Sequence, residues 1–353
     1  MIDVQMVVRV HSAQRPARRA IESVLADPHA GAIVVAHNIL PSALDLPDSD
    51  RVEVVELPGH AGCPGAPAKF GVDAATAEWV GILDSDDWYE PGAIAAMRSR
   101  AQSDHADAVF APFRKEGKRH KSLLPTMKTR NLDPVRDAIF YRTAPLGIFR
   151  RDLLQSAPFA TEVSSGEDIP VGAFVSTSGA SISFYWNDPA YISSADANDR
   201  VTDQKDPFDR IGAVWNTVWD ADFVRSWDQA TRHAFAVKMA RVHIAQAIEA
   251  RAAADSWREG EFEWMKNTIQ RLRAEDPHFD RPLLARTART IRSVESGDVD
   301  RLDEAFRATN GRKLPLNPSA VLYERDTELR WRMIEYRVRL REDRKSRSEK
   351  AHS

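Results

Sequence analysis

The chain of 353 residues is longer than one average compact core, so one large and one smaller domain are expected. Its formal net charge of −3, with 43% hydrophobic and 29% charged residues, describes an ordinary globular protein without the positive excess that would point to nucleic acid. The single cysteine, Cys63, excludes an internal disulfide framework, and the absence of a signal-peptide pattern or of a run near the roughly 18 apolar residues needed to cross a bilayer makes a cytoplasmic location the expectation.

Taken in order, Gln5 to Val10 (QMVVRV) predicts a buried strand. His11 to Pro16 forms the turn after it, with Pro16 placed to open a helix in which Ala20, Ile21, Val24 and Leu25 recur at helical spacing. Ala32 to Ala36 is a second short strand ending in His37 and Asn38, and Val52 to Leu57 a third. The Gly- and Pro-rich stretch Pro58 to Pro67 must be a loop. Ala68 to Ala77 resumes a small-residue helix carrying Lys69, and Trp79 to Asp84 is the fourth strand. Strands alternating with helices at this spacing predict a mostly parallel, helix-flanked sheet, because parallel strands need crossover connections.

The fourth strand ends abruptly in Asp84, Asp86 and Asp87, after which Glu90-Pro91-Gly92 restarts the chain as a helix. Asp-rich turns often only cap helices. Here the acids follow a buried strand, and the carboxyl edge of a parallel sheet is where ligands bind. Two carboxylates one residue apart can share a hard divalent cation and leave positions for phosphate oxygens. His11, His37, Asn38, Lys69, Asp84 and Asp86 all flank inferred strands or loops on that one edge, a shared place suited to a nucleotide diphosphate.

Further on, Ala108 to Pro112 is another strand, and the basic run Lys118 to Lys121 is either a solvated loop or a grip on anionic substrate. Pro134 to Tyr141 reads as a helix, and Pro145 to Phe149 as a strand feeding a new helix at Arg150 and Arg151. Glu167 and Asp168 open a helical segment, where they either cap amides or face a cleft. Gly179 to Asp188 resembles a late strand, and Arg200 either brackets a diphosphate or makes a surface ion pair.

From Asp209 the period changes to three and four. Ile211, Val214, Trp215, Val218 and Trp219, then Phe235, Met239 and Val242, then Phe262, Met265, Ile269 and Leu272, then Val299, Leu302 and Phe306 predict packed helices. Leu322, Leu329, Met333, Tyr336 and Leu340 carry a brief heptad that leaves a homo-oligomer through the C-terminal helices open. Arg337 to Lys350 is basic, but Glu335, Glu342, Asp343 and Glu349 dilute it, so a solvated helix is favoured over contact with anionic lipid.

The first two hundred residues resemble a family 2 glycosyltransferase with the GT-A fold. VVRVHSAQRPARRAIESVLAD is similar to the family's opening strand, turn and helix; PGAPAKFGVDAATAEWVGILDSDDWYEPGAI resembles its central Asp-x-Asp block, and SSGEDIP its later acidic block. The resemblance implies a GT-A catalytic domain over 1–205, Rossmann-like with a mostly parallel sheet flanked by helices, and an α-helical C-terminal region over 206–353 for dimerisation, acceptor docking or membrane docking. It implies Asp86 as ligand of Mg²⁺ or Mn²⁺, with Asp196 in place of the family's usual His, and Asp168 as catalytic base. Donor contacts are implied for Val10, His11, His37, Asn38, Lys69, Asp84, Ser85 and Arg200. One departure is that Ala36-His37-Asn38 replaces an expected acid after the second strand.

The implied reaction is inverting transfer of a sugar from a nucleotide-diphosphate donor to a glycan or other hydroxyl acceptor, as in bacterial surface glycan synthesis. The place is cytoplasmic, with peripheral contact on the inner face of the membrane as an option. A nucleotidyltransferase is the second reading, disfavoured because HSAQRP lacks the glycine-rich loop such enzymes use. A non-catalytic scaffold is the third.

Overall fold

A computed structural model describes residues 2–118, 121–122, 124–194, 207–253, 257–297 and 328–351. Asp196, Arg200, Val299, Leu302, Phe306 and Leu322 lie outside the described residues. The chain divides into two units, one of Met1–Leu123, Lys128–Asp133 and Arg142–Lys205, the other of Leu124–Met127, Pro134–Tyr141 and Asp206–Ser353.

The first unit is built on strands β1 (Val4–Val10), β2 (Ala30–His37), β3 (Val52–Leu57), β4 (Trp79–Asp84), β6 (Ala108–Phe110), β8 (Gly147–Arg150) and β9 (Ile182–Phe184), in the order β3-β2-β1-β4-β8-β6-β9. Of these only β8 runs against its neighbours, so the sheet is mostly parallel as expected. A smaller sheet joins β5 (Trp88–Tyr89), β10 (Tyr191–Ser193) and β7 (Phe113–Lys115).

Strand alternation sorts β1. Val4, Met6, Val8 and Val10 pack with Ala17, Ala20, Ile21 and Val24 of α1 (Ala17–Leu25), which leaves Val7 and Arg9 on the opposite face. On that face lies α2 (Gly65–Ala74). It comes so close that a Cβ on Gly71 would sit 2.3 Å from a Val7 methyl, which is why a small-residue helix is required there. Helices α3 (Ala93–Asp104), α4 (Arg151–Gln155) and α5 (Ile169–Thr177) complete the unit.

The second unit is helical. Short helices α6 (Phe208–Ile211), α7 (Ala213–Thr217) and α8 (Asp222–Arg225) precede α9 (Gln229–Lys238), a π-helical stretch Met239–Ile244, α10 (Ala245–Ala253), α11 (Glu261–Glu275), α12 (Ala285–Ser296) and α13 (Glu328–Ala351). Trp215 and Trp219 are buried, as their spacing predicts: Phe208 meets Trp215 and the half-buried Trp257 and Trp264, and Trp219 and Trp227 meet Phe235, with Phe140 against Trp227.

The helix expected over Pro134 to Tyr141 is only a 3-10 turn at Ile139–Tyr141. Ala138 sits at φ +54°, which breaks any regular helix, and the buried Asp137 carboxylate accepts from Thr126 Oγ1 at 2.7 Å. Local side-chain bonding here overrides the apolar spacing.

Candidate active site

Three parallel strand ends define the rim. The register sets Arg9 beside Asp84 and Val10 beside Ala36, so β1, β2 and β4 finish level with one another at Val10, His37 and Asp84. A cavity of about 510 Å³ opens there, a size ordinary for a small-molecule site. Val10, His11, His37, Asn38, Asp84, Ser85 and Asp86 all line it. So do Ala61 to Pro64 of the Gly- and Pro-rich loop, and Ser164, Ser165 and Glu167 from the approach to α5.

The carboxylates are held by arginines. Arg9 donates from Nε to Asp84 Oδ1 at 3.1 Å and from Nη1 to Glu167 Oε1 at 3.2 Å, and Nη1 also donates to the Pro64 carbonyl at 3.0 Å. Asp84 and Glu167 outweigh the cost of burial and hold the Arg9 pKa well above its ordinary value. Arg15 Nη1 pairs with Asp86 Oδ1 at 2.8 Å. Arg19 stacks its guanidinium 4.2 Å above the Trp88 ring and donates to the Asp86 carbonyl.

Asp87 has a different task. It accepts from Tyr191 Oη at 2.7 Å and from the Ser194 amide at 2.8 Å, latching the acidic turn to β10. Burial, and then the charges of Asp84 and Asp86, push its carboxyl up to about 7, against the pull of those two hydrogen bonds.

At the end of β2, Asn38 adopts φ +58° and exchanges two hydrogen bonds of 2.8 Å with Gly59, Nδ2 to the carbonyl and the Gly59 amide to Oδ1. His37 Nε2 donates to the same carbonyl at 2.8 Å, and burial lowers its pKa. These two residues therefore fix the Gly- and Pro-rich loop as the cavity's wall. A Cβ on Gly65, where that loop becomes α2, would lie 2.2 Å from the Ala160 carbonyl and 3.0 Å from Glu167 Cβ. This close approach seats Glu167 at the cavity.

Two of the residues named from sequence are not gathered there. Lys69 pairs with Asp73 one turn along α2 and does not line the cavity. Asp168 stands at the N-cap position of α5, one residue past Glu167 and outside the lining. Its side chain makes no capping bond to the helix, so the capping reading does not hold. Sequence reasoning missed Arg9 and Arg15. The usable signal was Arg9 itself, a lone charge inside an otherwise apolar strand.

Among the described residues no three His, Cys, Asp or Glu side chains converge as a preformed metal cage. The acidic turn nevertheless suits a hard cation. Asp86 lines the cavity beside Asp84, and its donors are oxygens.

Residues 37–156 match the profile described as Glycosyl transferase family 2. Over 114 residues the chain is 32% identical to the succinoglycan biosynthesis protein ExoO of Rhizobium meliloti (strain 1021), a match covering 31% of this chain and 32% of that relative. The match thus spans about a third of the curated relative's length. The crystal structure of S. aureus TarS 1–349 in complex with UDP-GlcNAc superposes with a TM-score of 0.71 at 16% identity, covering 87% of this chain and 92% of that one. The complex of the same protein with UDP gives 0.68 at 16% identity, with the same coverage. The shared architecture is the GT-A fold.

Proposed function

We propose, from the match of residues 37–156 to glycosyl transferase family 2, that the chain transfers a sugar from a nucleotide-diphosphate donor to an acceptor hydroxyl, with inversion, in the assembly of a bacterial cell-surface glycan. The observation that carries this reading is the meeting of Asp84, Ser85 and Asp86 with the ends of β1 and β2 around one cavity. A nucleotide diphosphate is the ligand class for that edge of a parallel sheet, and TarS, which shares the fold, is a protein crystallised with UDP-GlcNAc.

In this reading Val10, His11, His37 and Asn38 receive the nucleoside, and Asp84 and Ser85 hold the ribose end of the diphosphate. Asp86 would hold Mg²⁺ or Mn²⁺, with Asp196 and Arg200, outside the described residues, as further proposed contacts. A bound cation would supply charge neutralisation for the departing diphosphate. Glu167 Oε1 is engaged by Arg9, which suits it to orienting the acidic pair. Asp168 would then accept the proton of the acceptor hydroxyl as that oxygen attacks the anomeric carbon opposite the leaving group. Lys69, with Asp73 as its present partner, would have to exchange that ion pair to reach a base.

The test is a panel of nucleotide sugars beginning with UDP-GlcNAc, incubated with the full chain and Mn²⁺, with nucleotide products resolved by mass. Release of nucleoside diphosphate supports the proposal. Pyrophosphate from a triphosphate would establish the nucleotidyltransferase instead, and nucleotide binding without any turnover the non-catalytic scaffold.

A further inference from the structure

The C-terminal helix α13 carries apolar side chains on two opposed faces. On one, Val338 is buried and Trp331, seven residues earlier, meets the Tyr141 ring at 4.6 Å, edge to face. On the other, Met333, Tyr336 and Leu340 are 48%, 64% and 38% exposed, although they follow one another at the three- and four-residue spacing that stacks side chains into a stripe. Among the described residues nothing covers that stripe.

Its borders are basic on both sides. At 3.6 residues per turn, Arg332 and Arg339 run along one edge, and Arg337 and Arg341 along the other, all four exposed. Glu335, the acid within this stretch, pairs with Arg339 on the flank away from the stripe. Between Arg332 and Arg341 the helix sets its acid, Glu335, away from the stripe, and Asp343 follows one turn past Leu340. What faces outward is an apolar strip framed by guanidinium groups.

We propose that this face of α13 lies in the headgroup layer of an anionic lipid bilayer. Met333, Tyr336 and Leu340 would enter the acyl boundary, while the long arginine side chains reach back to the lipid phosphates. A second copy of the chain is the wrong occupant. Met333, Tyr336 and Leu340 would fill a, d and a positions of a coiled coil, and the e and g positions beside them are Arg337, Arg332 and Arg339, which would meet the same arginines of the partner. An acidic protein is also a poorer fit, since specific protein interfaces bury on the order of 1,200 Å² or more and three side chains over two turns supply only a narrow strip. A membrane surface asks for no such area. The arginines make the helix lie on a bilayer rather than span it.

The proposal is independent of the sugar-transfer reading and is tested without it. The full chain is sedimented with vesicles of phosphatidylcholine containing about one-third phosphatidylglycerol, and with phosphatidylcholine alone. Binding is expected only to the anionic vesicles and is expected to fade in about 0.5 M salt. The triple variant Met333→Ser, Tyr336→Ser, Leu340→Ser should lose it. Replacing Arg332, Arg337, Arg339 and Arg341 by Gln should weaken it by roughly fivefold per residue. All these positions are exposed, so an unchanged circular dichroism spectrum is expected and shows that the helices persist. Equal binding to both vesicle types, no binding, or unaltered binding by either variant overturns the proposal. So does a parent dimer in analytical ultracentrifugation that the triple variant converts to monomer, or an acidic protein partner held through these residues without vesicle binding.

Discussion

Arg9 and Glu167, 158 residues apart in the chain, are joined at 3.2 Å across the cavity wall, and the same guanidinium holds Asp84. One side chain on β1 thereby ties the acid at the end of β4 to the acid before α5. Replacing it with Met should leave two carboxylates without their shared cation and cost about 1–2 kcal/mol of stability, less than for a fully buried pair because the Asp84 side chain is 43% exposed to screening solvent. Thermal or urea unfolding of Arg9→Met checks this. A change under about 0.5 kcal/mol would place the pair among ordinary surface contacts.

Asp86 is the acid proposed to hold the metal, and its present partner is Arg15. Asp86→Asn should reduce turnover by about a hundredfold or more and remove most of the stimulation by Mn²⁺. The measurement is nucleoside diphosphate release against Mn²⁺ concentration in both proteins. An unchanged metal dependence would show that Asp86 does not hold the cation.

The two adjacent acids Glu167 and Asp168 are separable by kinetics. Asp168→Asn should lower kcat by about a hundredfold to ten-thousandfold while donor affinity stays within about twofold, the behaviour of a lost general base. Glu167→Gln breaks the contact to Arg9 and should disturb donor binding and stability along with rate. If Glu167→Gln alone abolishes turnover and Asp168→Asn does not, the base is the residue that lines the cavity.

Asp87 makes stability depend on pH. Its carboxyl is pushed up to about 7 in the folded protein and returns to about 3.9 in the unfolded chain. Between those values the folded state binds the extra proton, so this group's contribution is fully present below about pH 4 and is lost as pH rises towards 7. The melting temperature should therefore fall from about pH 5 to about pH 7.5 by more in the parent than in Asp87→Asn. Added Mn²⁺ should raise it more at about pH 8 than at about pH 5.5, because a cation favours the ionised cluster. Identical pH profiles for the two proteins would remove Asp87 as the cause.

The rim of the parallel sheet was legible because each strand there is an apolar run that stops at a polar residue: Val10 before His11, Ala36 before His37, Leu83 before Asp84. Period-two and period-three signals are local, and local signals survive translation into structure. What was not legible depends on contacts distant in sequence. Arg9 is an anomaly in its strand until β4 and the approach to α5 are laid beside it, and Lys69 looks available until the helix register gives it Asp73. Pro134 to Tyr141 has helical spacing, yet Ala138 at φ +54° and the Asp137 bond to Thr126 forbid the helix. On α13 only the helical arrangement tells which arginines share an edge.

Ile139 and Phe140 come from the first half of the chain but are buried with the helical unit, Phe140 against Trp227 and Phe235. The polypeptide thus leaves the sheet-bearing unit and re-enters it before the helical unit's own long segment begins. A chain cut at residue 205 would strand those two side chains in water, inviting aggregation. The sheet-bearing unit is therefore no detachable cassette, and grafting it onto another tail would require carrying the aromatic pocket for Phe140 as well.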